Sequence, residues 1–300
     1  MTLIECVPNV SEGRRTAVIA ALAEAIAASG VHLLDRSSDP SHNRTVYTFV
    51  GGAEALQQAV LRLFASAIAH IDLGAHSGVH PRIGAVDVVP FVPLRGAAMS
   101  DCIDLARSTA ALVSERFGVP VYLYEEAASR AARRNLAEIR RGGLAKLATR
   151  IREDEWLPDF GAPEPHPTAG VSAIGARRIL IAYNVNLETN RVEVAKRIAG
   201  RIRTSGGGFD HVKAMGVLLD HRGVAQVSMN LTDYHCTPMT TVFDAVVREA
   251  ADEGVEVLDS EIVGLVPADA LPSDPVERLK LSPVDANRVL ERRLQQAGLG

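Results

Sequence analysis

"VKAMGVLLDHRGVAQVSMNL", residues 212–231, holds two apolar-rich runs joined by a short polar turn that ends in glycine, the pattern of a β-hairpin. Upstream lie a helix-period stretch at 190–208 and a strand, "ILIAYNV", at 179–185. Downstream come a helix, "TTVFDAVVREAADEG", and a strand, "VEVLDSEIVGLV", so the hairpin is the middle of a βαββαβ unit.

The first 95 residues repeat that order, with strands at 3–8, 31–35, 44–51 and 86–92 and helices at 13–29 and 53–70. Residue identity between the halves is low, so the repeat is one of topology. An insert at 97–176 adds a helix near 99–117, a strand "VPVYLY", a basic helix reaching about 150 and a proline-rich passage, "LPDFGAPEPHPTAG", read as a linker. The expected fold is α+β: two ferredoxin-like (βαββαβ) two-layer subdomains, residues 1–177 and 178–300, with a ligand crevice between them.

The chain has 300 residues, 47% of them hydrophobic, and a formal charge of −4 with acids and bases interspersed. That balance points to a small-molecule ligand, with no nucleic acid and no membrane as partner. Cys6, Cys102 and Cys236 are odd in number and lack a CxxC spacing, which disfavours a disulfide framework or a thiolate metal site. Without a basic leader or a long uncharged apolar window, the protein is expected to be soluble and cytoplasmic.

Chemistry concentrates in "LGAHSGVHPRIGAVDVVPFVPLRG", residues 73–96. Gly74, Gly78, Pro81 and Gly84 exclude a long helix, so His76 and His80 do not share a helical face and a metal pair is disfavoured. Such a loop either carries function or merely caps a turn. "DRSSDPSHNR", residues 35–44, reads as a turn rich in polar groups; turn chemistry explains Asp39, Pro40 and Asn43 but not His42 or Arg44. Ser11 reads as a helix N-cap and "SGGG" at 205–208 as a helix end rather than a phosphate site. Cys236 beside His235 is not read as a nucleophile pair, because neighbours on an extended chain point apart.

Taken together, "IECVPNVSEG", "HNRTVYTFVGG", "HSGVHPRIGAVDVVPFVP", "VPVYLYEEAA", "PDFG", "GARRILIAYNVNL" and "VAQVSMNLTD" resemble the glutamate formimidoyltransferase (formiminotransferase) family along nearly the whole chain. The resemblance implies a homodimer of two-subdomain chains with a folate tunnel, transferring a formimino group between N-formimino-L-glutamate and N5 of tetrahydrofolate, the co-substrate, without a metal. It makes His80, of the "HPR" motif, the catalytic histidine. It assigns folate binding to the run after "PDF": Gly161, Ala162, Pro163, Glu164, Pro165, His166, Pro167, Thr168, Ala169 and Gly170. Two departures from vertebrate members stand out. No cyclodeaminase domain follows within the 300 residues, so the next step is expected of another protein, and "RSSDPSH" differs from the acidic loop there, which leaves the role of Asp39 open.

The implied reaction needs a group that takes a proton from folate N5 and returns one to the departing glutamate nitrogen, work suited to His80. Asp39 or Asp87 would face the cationic formimino group, while Arg44, Arg82 or Arg177 would hold the glutamate carboxylates. Asp39 and Arg82 join His80 as expected catalytic-site residues. The basic run Arg130, Arg133, Arg134, Arg140, Arg141, Lys146, Arg150, Arg152 is either a solvated face or a receiver for polyglutamylated folate tails. Trp156, just ahead of the folate run, is expected to sense folate. Two alternatives stay open: formyl transfer between 5-formyltetrahydrofolate and glutamate, and a non-catalytic amino-acid or folate-binding module.

Overall fold

A computed structural model describes residues 2–76 and 82–300. The chain divides into two compact units, Met1–Arg177 and Arg178–Gly300. In the first, β1 (Ile4–Cys6) and β2 (Asn9–Val10) are followed by α1 (Thr16–Ala27), β3 (His32–Asp39), β4 (Arg44–Gly51), α2 (Ala53–His70) and β5 (Val86–Pro93). Then come α3 (Met99–Phe117), β6 (Val121–Glu125), α4 (Leu136–Arg140), α5 (Gly143–Arg150) and β7 (Ser172–Ala176). β1 and β2 each pair with both β4 and β5, so they occupy one lane of the sheet. The lanes run β3, β4, β1/β2, β5, β7, β6, antiparallel up to β5 and parallel beyond it.

The strand read at 3–8 is broken in two because Pro8 has no N–H to give the ladder. Its carbonyl still accepts from Tyr47 N–H at 3.1 Å, which keeps the lane aligned. Helices α1, α2 and α3 cover one face of the sheet. On α2, Leu56, Ala59, Val60, Leu63, Phe64 and Ala67 recur at helical spacing and are buried with Ile4, Cys6, Tyr47, Phe49 and Phe91 of the strands. Each large side chain so buried is worth about 1.5–3 kcal/mol.

Four sequence readings are corrected here. β3 runs on to Asp39, so only residues 40–43 turn; pairing with β4 and bonds such as Ser38 Oγ to Thr45 Oγ1 (2.9 Å) outweigh the turn preference of the serines. The basic helix is two short helices, interrupted where Gly142 and Gly143 take φ of 80° and 68°. The proline-rich passage is not a linker, because it leads into β7, which lies between β5 and β6 inside the first unit. Ser11 does not cap α1: its hydroxyl donates to Gly84 O (2.7 Å), and Glu12 instead accepts from the N–H groups of Arg14 and Arg15 (2.9 Å each).

The insert also gives the β5–β7–β6 end a cover on its second face. Ile139, Leu147 and Ile151 pack there with Val88, Tyr122, Tyr124 and Ala173.

The second unit runs β8 (Ile181–Leu187), α6 (Val192–Ile202), β9 (Val212–Leu219), β10 (Val224–Leu231), α7 (Met239–Asp252) and β11 (Val257–Val263). Its antiparallel lanes run β9, β10, β8, β11, the order that β3, β4, β1/β2, β5 follow in the first unit. Tyr183, Val185, Val227 and Met229 pack with Val194, Ile198, Val242 and Val246 of the helices. After α6 the chain turns at Gly206–Gly208, with Gly206 N–H and Gly208 N–H both bonded to Arg203 O, as a helix end should. No helix among the described residues is long and apolar enough to cross a membrane.

Candidate active site

Strand alternation decides which side chains turn away from the helix layer. Ile4 and Cys6 enter the core with Tyr47 and Phe49, so Glu5 of β1 and Arg44, Val46, Thr48 and Val50 of β4 stand on the opposite face. The register places Asp39 directly across from Arg44, and Glu5 across from Val50 and Val92. Asp39 and Arg44 are therefore cross-strand neighbours on one face.

The turn between them is tightly bonded. Asp39 Oδ1 accepts from His42 N–H (2.8 Å), and Oδ2 pairs with His42 Nδ1 (3.0 Å). Burial alone would raise the Asp39 carboxyl, but the bonds and charge of His42 outweigh it and hold it at about 2. It is thus a fixed anion rather than a proton carrier. Asn43 takes φ of 47°, and its Oδ1 accepts from Gly13 N–H (2.9 Å). A side chain on Gly13 would meet Asp39 O and Arg44 N at 2.3 and 2.5 Å, so glycine lets the strand end approach the turn.

Within residues 73–96, His80 lies among 77–81, outside the described residues. His76 and Arg82, on either side of them, are bonded to each other: Arg82 Nη2 donates to His76 O (2.9 Å), and His76 Nε2 reaches Asn43 O (3.1 Å). Burial, then the Arg82 charge, pull the His76 imidazole below its ordinary value. Asp87 is buried; Oδ1 accepts from Ile83 N–H (2.7 Å) and Gly84 N–H (3.3 Å), and Oδ2 pairs with Arg140 of α4. Burial, and then the neighbouring Arg140, lower Arg44 to about 10 against the opposing pull of Asp87 and Asp39. Arg82 is likewise lowered, chiefly by burial.

The run 161–170 lies beside this stretch. Leu73 N–H donates to Thr168 O (2.9 Å), Ala85 N–H to Ala169 O (2.9 Å), and Gly84 bridges Gly170. His166 Nδ1 accepts from Thr168 and Ala169 N–H at 3.3 and 3.0 Å, which puts its proton on Nε2. Gly161, Ala162, Pro163, Glu164 and Pro167 are exposed, while Pro165 is half-buried and Ala169 and Gly170 are buried. Gly170 has φ of 68°, and a Cβ there would lie 2.4 Å from Ile83 O, so the two segments require glycine to meet.

The basic run is not a uniform positive face. Arg133, 1% exposed, pairs with Asp159 (2.9 Å), donates to Glu155 O and Leu157 O and lies 4.9 Å from the Tyr122 ring centroid. Arg134 pairs with Glu126, Arg140 with Asp87 and Arg141 with Glu138. Arg150 covers the Trp156 ring at 3.5 Å. Much of the charge that stands in sequence as an excess is met by acids and carbonyls from elsewhere in the fold.

One cluster was missed from sequence. Glu5 is 6% exposed, and burial raises its carboxyl to about 7 against the pull of Arg177. Arg177 also bonds Tyr124, whose ring lies over Gly175, where a Cβ would meet Tyr124 Cδ1 at 2.6 Å. The signal was a lone acid inside an apolar strand, which by itself only argues against a leader. Among the described residues, no group of three or more His, Cys, Asp or Glu side chains is arranged to hold a metal.

Comparison with known proteins matches two family descriptions: "Formiminotransferase domain, N-terminal subdomain" over residues 3–177 and "Formiminotransferase domain" over 182–275. A glutamate formimidoyltransferase of Thermoplasma acidophilum is 45% identical over 300 residues, covering 99% of each chain. One from Streptococcus pyogenes serotype M1 is 44% identical over 270 residues, 90% of each. A formimidoyltransferase-cyclodeaminase of Sus scrofa is 45% identical over 276 residues, which are 90% of this chain and 51% of that one. With both of its halves matched in order, and with relatives this similar over most of their length, the chain belongs to the formiminotransferase family.

Proposed function

We propose that the protein transfers a formimino group between N-formimino-L-glutamate and N5 of tetrahydrofolate. The observation that carries this is full-length similarity to proteins named glutamate formimidoyltransferase. The joining of 168–170 to residues 73 and 83–85 supports it, since the proposed folate run then borders the segment that carries His80.

In this reading His80 takes the proton released from folate N5 as the new C–N bond forms, then protonates the glutamate nitrogen as the old bond breaks. Atoms balance as formimino-folate plus glutamate. Arg44, Arg82 or Arg177 holds the substrate carboxylates, and Asp39 keeps Arg44 and the 40–43 turn in position. The shared lane order of the two units supports a ferredoxin-like arrangement in each. A cytoplasmic homodimer completes the reading.

The test supplies purified protein with tetrahydrofolate and either formiminoglutamate or formylglutamate. Formation of 5-formimino-tetrahydrofolate from the first is expected. Product from formylglutamate alone would replace this function with formyl transfer, and binding without any turnover would make the chain a binding module.

A further inference from the structure

Three carboxylates stand on the face of the N-terminal sheet turned away from α1, α2 and α3, and they differ in what is left of their hydrogen-bonding capacity. Asp39 spends its two oxygens on His42. Asp87 is engaged by Ile83 N–H, Gly84 N–H and Arg140. Glu5, 6% exposed, is far more buried than Asp39 and nearly as buried as Asp87 (2%), and lies between Val50 and Val92, both 0% exposed. Yet no described residue donates a hydrogen bond to its side chain, and the charge that acts on it is Arg177. Nearby on β4, two positions along from Val50, the Thr48 hydroxyl is also fully buried and has no partner among the described residues. A buried hydroxyl without a partner beside a carboxyl that receives no donor from the described residues is a costly arrangement unless something else meets them.

What Glu5 lacks among the described residues is a donor, and a positively charged one suits it best. A protonated formamidine is a planar cation whose nitrogens carry hydrogens, and it matches a carboxylate as a guanidinium does. A formyl group in the same place presents an oxygen with lone pairs and no hydrogen, so it would face Glu5 with like polarity.

We propose that Glu5 accepts hydrogen bonds from the formimino nitrogen and is the residue that selects the imino over the oxo one-carbon group. This rests on the formimino-transfer reading. Glu5 makes and breaks no covalent bond; it holds the cation in place beside the reacting carbon. Burial favours the neutral acid and the Arg177 charge, held by Tyr124, pulls the other way, so a bound cation would complete the ionisation of Glu5; Gly175 makes the room for the Tyr124 ring.

The experiment compares wild type with Glu5→Gln and Glu5→Asp, using tetrahydrofolate with formiminoglutamate or with formylglutamate. Glu5→Gln is expected to lower kcat/KM for formiminoglutamate by roughly 10–100-fold, the worth of one charged hydrogen bond, and to leave or raise the rate with formylglutamate. Glu5→Asp should recover part of the imino preference. The dissociation constant for tetrahydrofolate and the circular dichroism spectrum should stay as in wild type. Equal losses with both donors, or no loss with either, overturn the assignment of Glu5. A wild type that transfers formyl but not formimino groups overturns instead the reading of the reaction, and shows itself before any variant is assayed.

Discussion

On the face turned away from α6 and α7, β8 and β10 carry Asn184, Asn186 and Gln226 opposite Asp259 and Glu261 of β11. On the corresponding face of the N-terminal sheet stand Glu5, Asp39, Arg44 and Asp87. The lane order is the same and the chemistry is not. In the second unit, carboxamides bind carboxylates directly: Asn184 to Glu261 (3.0 Å), Asn186 to Asp259 (2.5 Å), and Gln226 to both Asn186 (2.9 Å) and Glu261 (2.8 Å). Carboxamides keep their polarity at any pH, so this face suits shape and recognition. In the first unit, burial and neighbouring charges move Glu5, Asp39 and Arg44 in different directions, which suits the handling of charge.

The largest expected contrast is in turnover. His80→Ala should cost at least about 100-fold in kcat with little change in folate binding, because a proton shuttle acts on the transition state. Asn186→Ala should cost less than about 10-fold by the same assay. A reversal would move the chemistry to the second unit.

The next contrast is in stability against pH. Glu5 titrates at about 7 when folded and near the ordinary 4.5 when unfolded. Below 4.5 it is protonated in both states and costs nothing; between 4.5 and 7 the unfolded chain ionises while the folded protein keeps the proton, so stability falls, and above 7 the whole loss, on the order of 3 kcal/mol, is in place. Glu5→Gln should therefore stabilise the free protein against urea at pH 8 and change little at pH 4. Equal stabilisation at both pH values would show that Glu5 is not held in this way.

In the second unit, Gln226→Leu removes donors from two acceptors at once. Urea unfolding should show a loss of about 1–3 kcal/mol, independent of pH between 6 and 8. A pH-dependent loss would mean that Glu261 is itself poised to titrate and that the two faces are more alike than drawn.

The smallest effect compares the hairpins. Residues 40–43 and 220–223 turn between paired strands, and each turn ends in the left-handed region, at Asn43 (φ 47°) and Gly223 (φ 63°). Gly223→Ala should cost about 1 kcal/mol from backbone strain alone. Asn43→Gly gains backbone freedom in place but loses the bond to Gly13, for a net loss of about 0.5–1 kcal/mol. If Asn43→Gly were stabilising, the side chain would be there for its conformation and not for Gly13.

Much of this was legible from local pattern. The hairpin at 212–231, the helix at 53–70 and the helix at 99–117 are observed where periodicity put them, because each buries a regular face and repeats it for several turns or pairs. β7 was missed. Its residues, "SAIGA", are small, and what makes them a strand is parallel pairing with β5 and β6, neither of which adjoins it in sequence. Arg133 was grouped with seven other bases because composition cannot tell a guanidinium paired with Asp159 from one in water.

By itself the sequence determined the βαββαβ order and the family, since these rest on spacing, on turn residues and on motifs that are each contiguous. Tertiary structure alone decided which charges are spent and which remain. Asp39 and Asp87 look as available as Glu5 along the chain, and only the folded arrangement shows their oxygens taken by His42, Ile83, Gly84 and Arg140 while no described residue donates to Glu5. The reason is physical: a carboxylate's strength depends on its burial and on the donors that reach it, and those donors come from strands and loops far away in sequence.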